Sequence, residues 1–169
     1  LGRVTRISQT QAAGSAFPVS DKRIDFAYLA NGDLDTLTRY DDLAGTDLVA
    51  ETDHVFDALG RMTDMTHAKG GTTFADYDLV WDKAGRVTDF DIASLVGDDG
   101  TADYVYDDTD QLTAADYETG FQTDESFSYD ANGNRTNTGY ATGDFNRIES
   151  DGTHYYTHDH EGNQTEKFL

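Results

Sequence analysis

Five aspartates return at one place in a short pattern. Asp57, Asp82, Asp107, Asp130 and Asp159 each follow an aromatic residue or histidine, and each lies three residues before Gly60, Gly85, Asp110, Gly133 or Gly162. Carboxylates in such a row have three possible uses. They can ligate a hard cation, exchange protons with a substrate, or accept hydrogen bonds from the backbone of a turn. The spacing favours the last. Asp bonds the backbone two residues on, and Gly supplies the positive φ of a tight reversal, with Asp110 standing in for it once. No calcium nonapeptide or EF-hand loop is present. Oxygen ligands crowd at "GDDGTAD" from Gly97 and "YDDTD" from Tyr106, so calcium is a possibility there, although diffuse cation screening is the preferred reading and no dedicated metal site is assigned. His158 and His160 would share one strand face, but His158 fits better as an aromatic-slot residue. His54, His67 and His154 have no local partner pattern. There is no Gly-x-Ser-x-Gly elbow, zinc-protease helix or phosphate loop, and no carboxylate pair stands out for glycoside hydrolysis. No catalytic residue and no cofactor are assigned.

These aspartates belong to a larger unit. Aligned on Gly2, Gly32, Gly60, Gly85, Asp110, Gly133 and Gly162, the chain repeats at gaps of 30, 28, 25, 25, 23 and 29 residues. Such periods mark repeat architectures. Four places before each turn residue stands Tyr28, Phe56, Trp81, Tyr106, Tyr129 or His158, and two places earlier Phe26, His54, Leu79, Tyr104, Phe127 or Tyr156. Large residues at i and i+2 read as a half-buried strand, so the first set is assigned to the shared repeat core. After the turn come Val4, Leu34, Met62, Val87 and Leu112, and three further on Ile7, Leu37, Met65 and Phe90. A spacing of three breaks strict alternation and points to a bulge or bend. The best helical candidate, "TDLVAETDHVFDALG" from Thr46, fits the repeat better as strands. Pro18 marks a loop. The unit is therefore strand, turn, strand and a variable connection. One hairpin buries too little alone, so units must share a core.

The expected fold is all-β: a single array over 1–169, with a partial repeat at 1–23 and repeats at about 24–52, 53–76, 77–101, 102–124, 125–153 and 154–169. The opening "LGRVTRIS" reads as half a repeat and "EGNQTEKFL" lacks terminal punctuation, so the chain is read as part of a longer polypeptide. The 169 residues carry 12 Lys and Arg against 33 Asp and Glu, a formal charge of −21. That surface repels nucleic acid and anionic membranes. No apolar run nears the roughly 20 residues that span a bilayer. Ten Tyr, nine Phe and one Trp at regular places argue against a disordered acidic tail. With no Cys, neither disulfides nor thiolate metal sites are available. Asn134-Arg135-Thr136 and Asn163-Gln164-Thr165 match the glycosylation sequon, but both fall on the repeat's own pattern.

The stretches "YDANGNRT", "FDALGRMT" and "WDKAGRVT" resemble the tyrosine-aspartate (YD) repeats of the rearrangement-hotspot (Rhs) family, as in Rhs toxins, toxin-complex shell proteins and teneurins. The resemblance covers nearly the whole chain, with degenerate copies at Tyr28 and His158. It implies a long β-sheet spiralling into a solenoid-like shell, which in the toxins encloses an effector. The chain shows no Asp-Pro-rich core motif and no effector segment. The resemblance implies a non-enzymatic structural wall of a large extracellular or cell-surface protein, enclosing cargo or associating into filaments through strand edges. Flanking repeats are its expected partners. The alternatives are a carbohydrate- or protein-binding adhesion module and, last, an acidic glycan-active enzyme.

Overall fold

The computed structural model describes residues 2–11, 14, 19–97, 99–118 and 120–169; the loop expected at Pro18 lies outside them. Strands account for nearly all regular structure. They are β1 (Arg6–Gln9), β2 (Lys22–Tyr28), β3 (Leu34–Tyr40), β4 (Leu48–Phe56), β5 (Met62–Lys69), β6 (Thr72–Trp81), β7 (Val87–Ser94), β8 (Gly100–Tyr106), β9 (Leu112–Tyr117), β10 (Glu125–Ser126), β11 (Tyr140–Thr142), β12 (Ile148–Asp151), β13 (Tyr155–His158) and β14 (Gln164–Phe168). Among the described residues the one helical element is a 3-10 turn at Asp144–Asn146. The segment weighed as a helix from Thr46 supplies β4 and the following turn.

Two sheets result. The first orders β1 to β10 side by side in chain order, and the second does the same with β11 to β14. The chain divides into two compact units, Leu1–Ala102 with Tyr117–Phe121, and Asp103–Asp116 with Gln122–Leu169.

The bulge falls where the spacing of three places it. Phe56 opposes Met62 while Val55 opposes Asp64, so Thr63 is skipped in the ladder. Asp35 and Thr88 are skipped in the same way beside Tyr28 and Trp81. One extra residue resets the alternation. Met62 and Met65 can therefore share a face, opposite Phe56 and His54.

In the first unit, directly opposed residues form rows across the strands. One face carries the row Phe26, Leu37, Thr52, His67, Ala75, Ser94. The other carries Thr36, Asp53, Thr66, Asp76, Ala93 and a shorter row of Val55, Asp64, Asp78, Asp91. Burial on these faces is partial. Among the described residues of the chain, Ala50, Ala102 and, in the second unit, Ala115 are the buried apolar ones, and no large side chain is fully enclosed. Stability must come from side chains leaning on their neighbours along a row, since cross-strand pairs are the unit of sheet stabilisation.

Candidate functional site

Each Asp-x-x-Gly segment closes into the same hydrogen-bonded staple. At Asp57, Oδ1 accepts the amides of Leu59 and Arg61 at 2.8 and 3.0 Å, and Oδ2 accepts Arg61 Nε at 2.7 Å. Asp82 repeats this with Ala84, Arg86 and Arg86 Nε at 2.8, 2.9 and 2.7 Å. Asp107 accepts the Thr109 and Gln111 amides, and Asp130 those of Asn132 and Asn134. Asp159 accepts the Asn163 amide at 2.8 Å. The backbone closes beneath the carboxylate: the Asp57 amide donates to the Arg61 carbonyl and the Gly60 amide to the Asp57 carbonyl. Where Leu29 replaces the aspartate, the backbone loop is kept and Asn31 Oδ1 accepts the Asp33 amide instead. Asp110 takes the glycine's place at φ 66°.

Charge follows geometry. The Arg61 amide and guanidinium hold the Asp57 carboxyl below its ordinary pKa, and Arg86 does the same for Asp82, its amide first. Asn134 and Asn163 side-chain amides lower Asp130 and Asp159. Carboxylates so engaged are poor proton donors at neutral pH, and their oxygens are occupied by the amides and side-chain N–H groups of their own turns.

The residue after the turn glycine was missed by the sequence reading. In the turns led by aspartate it is Arg61, Arg86, Gln111, Asn134 or Asn163, each with a side-chain N–H, which Arg61, Arg86, Asn134 and Asn163 give back to the aspartate; that common property was the available signal. Arg61 does more. Its Nη1 donates to the Asp82 carbonyl of the next turn at 2.7 Å, and its guanidinium lies 5.5 Å from the Trp81 ring centre. Arg3 lies over Tyr28 at 5.4 Å in the same relation. Asn134 and Asn163, the two sequon asparagines, spend the nitrogen that a glycan would occupy on Asp130 and Asp159, both at 2.9 Å.

The aromatic positions Tyr28, Phe56, Trp81, Tyr106, Tyr129 and His158 are all half-buried. Three end in the same bond. Tyr28 Oη donates to the Val4 carbonyl at 2.8 Å, Trp81 Nε1 to Met62 at 2.7 Å and Tyr129 Oη to Leu112 at 2.9 Å. Each acceptor lies two residues past the preceding turn residue, so each ring is pinned to the unit before it. The residues that alternate with these aromatics on the strand, Val55, Val80 and Val105, are about half exposed.

The cation clusters read from the sequence lie elsewhere than the one the fold assembles. Asp98 of "GDDGTAD" is outside the described residues. Among the described residues, Asp64, Asp76 and Asp78 bring carboxylate oxygens within 4.8 Å of one another. Thr66 Oγ1 lies 2.8 Å from an Asp76 carboxylate oxygen and 3.1 Å from one of Asp64, with one proton to give to either. Burial first, then the charges of Asp76 and Asp64, push the Asp78 carboxyl up. His160 is exposed and His158 half-buried, and among the described residues neither joins such a group. In the second unit, Tyr155 stacks on Phe168 at 5.9 Å beside an open cleft of about 400 Å³ lined by Arg147, Glu149 and His158.

The sequence model of the family described as Teneurin YD-shell matches residues 23–167. No curated protein matches the chain.

Proposed function

Since the chain belongs to the Teneurin YD-shell family, we propose that it works as a load-sharing wall segment of a large secreted or cell-surface protein. Its task is mechanical rather than catalytic. The observation that carries this reading is the link from one repeat to the next: Arg61 closes its own turn through Asp57 and holds the following turn through the Asp82 carbonyl. The repeated carboxylates are consumed by such turns, which leaves them little freedom to act on a substrate. Flanking repeats of a parent chain are its proposed partners, and enclosure of cargo is the use proposed for a longer wall of such repeats. No helix among the described residues is long and apolar enough to cross a membrane.

A chain-length series tests the reading. Pieces carrying two, four and six repeats are unfolded in urea, and the midpoint should climb with each added pair because neighbours stabilise neighbours. A midpoint independent of length would sink it. The stacked and half-exposed Tyr155 and Phe168 favour a second reading, sugar binding, because aromatic faces suit a sugar's apolar side. A glycan array decides: saturable binding lost in Tyr155→Ala would move the assignment from wall to adhesion module.

A further inference from the structure

Thr52 is only 2% exposed, and its hydroxyl has two partners among the described residues. Arg39 Nη1 lies 2.9 Å from Thr52 Oγ1, and His67 Nδ1 lies 2.8 Å away. β3, β4 and β5 supply one residue each, and the register sets Thr52 directly opposite His67. A guanidinium can only donate, so Oγ1 accepts from Arg39. One hydroxyl proton is left to give, and Nδ1 is the acceptor within reach. This network assigns His67 as the neutral ring with its proton on Nε2. Were Nδ1 protonated, two donors would converge on one oxygen and the buried hydroxyl proton would lose its acceptor. Leaving a buried donor unpaired costs more than an ordinary hydrogen bond gains.

We propose that Arg39, Thr52 and His67 form an acid-sensitive latch across β3, β4 and β5, closed while the imidazole is neutral and loosened when it takes a proton. The charged and titratable groups around the ring support this. Arg39 comes from β3, His54 from β4 and Tyr77 from β6, while Lys69 follows two places along β5 itself. Phe74 stacks on the ring at 6.1 Å and Tyr77 meets it edge-on at 5.8 Å. The paired aspartates of these strands occupy rows on the opposite face. A proton on His67 therefore meets a neighbouring guanidinium. Burial, then Arg39 and His54, lower its pKa from the ordinary value. A base lowered in the folded state contributes stability that is complete above about pH 6.5 and is lost as pH falls through that value toward the folded one.

The test compares the chain with His67→Gln in urea unfolding at a series of pH values from neutral to mildly acid. Subtracting the two curves removes the carboxylates, which titrate in both. The folding constant of the parent chain should fall relative to the variant by roughly fivefold, the worth of one ordinary hydrogen bond. The His67 ring is also titrated by NMR in the unmutated folded chain, which decides the matter even where His67→Gln fails to fold. A midpoint below about 6.5, moving up in Arg39→Met, supports the latch. Parallel unfolding curves, or a His67 midpoint at or above the ordinary histidine value, overturn it.

Discussion

At Gly85 the backbone sits at φ 85°, with nothing within 4 Å of where a Cβ would stand. Alanine there meets no clash, so its cost is backbone strain alone, about 1–2 kcal/mol in urea unfolding. Asparagine should cost clearly less, because Asp110 already shows a short polar side chain tolerated at φ 66°. Equal losses for the two variants would put the strain elsewhere. The turn aspartates make a pH prediction. Asp57 and Asp82 have lowered pKa values, so the stability they contribute is complete above the unfolded carboxylate value near 3.9 and is lost as pH falls through their lower folded values. Asp82→Asn should flatten part of the acid limb of a melting-temperature profile, and Asp82→Ala should lower the melting temperature at neutral pH more than Asp82→Asn does. The Asp and Gly of the turn could be read from the sequence because each is needed for one backbone contact. The residue after the glycine could not be read from identity: Arg61, Gln111 and Asn163 are unlike one another, and only their N–H is common.

Between elements, the ring of one repeat grips the backbone of the one before. Trp81→Phe keeps most of the packing but drops the Nε1 bond to the Met62 carbonyl, and should cost about 1 kcal/mol. Trp81→Ala should cost about 3 kcal/mol, the low end for a large aromatic, because the ring is half rather than fully buried. A double-mutant cycle of Arg61→Met with Trp81→Leu should give a coupling of about 0.5–1 kcal/mol from the cation over the ring. Additive losses would mean the two merely coexist. The bulge was readable because Met62 and Met65 stand three apart with partners two apart. The break after β10 was not. The copy at Tyr129 keeps its staple, yet its flanks form an isolated bridge between Tyr129 and Arg135 with side-chain bonds from Thr136 and Asn137 rather than a pair of strands, and Arg135 is drawn over Phe127 and Tyr140. Whether a good strand sequence extends a sheet depends on what lies beside it, which a repeat pattern does not encode.

Over the whole molecule, charge opposes assembly. Asp64, Asp78 and Asp91 face one another across three strands, an arrangement set by connections of variable length and so invisible in the repeat itself. Like charges directly opposite destabilise a sheet. Asp78 has a raised pKa, so its repulsion is full at neutral pH and is relieved as pH falls through the folded value. Asp78→Asn should therefore raise the melting temperature at pH 7 and have less effect under acid. Salt should act in the same direction, since interactions beyond about 8 Å are already screened near 0.15 M. In NaCl and CaCl₂ series matched for ionic strength, a smooth rise in both is expected. A large saturable gain from micromolar calcium alone would instead mean an ion bound at Asp64, Asp76 and Asp78.

The first sheet lays its strands down in the order in which they occur along the chain. Every new strand therefore finds its partner already formed immediately upstream, and no strand must wait for a distant one. Loop closures stay short, which is the topology that folds fastest among β structures. A polypeptide of this kind can fold as it emerges, end first, from a ribosome or a narrow export channel, zipping one hairpin at a time onto a growing edge.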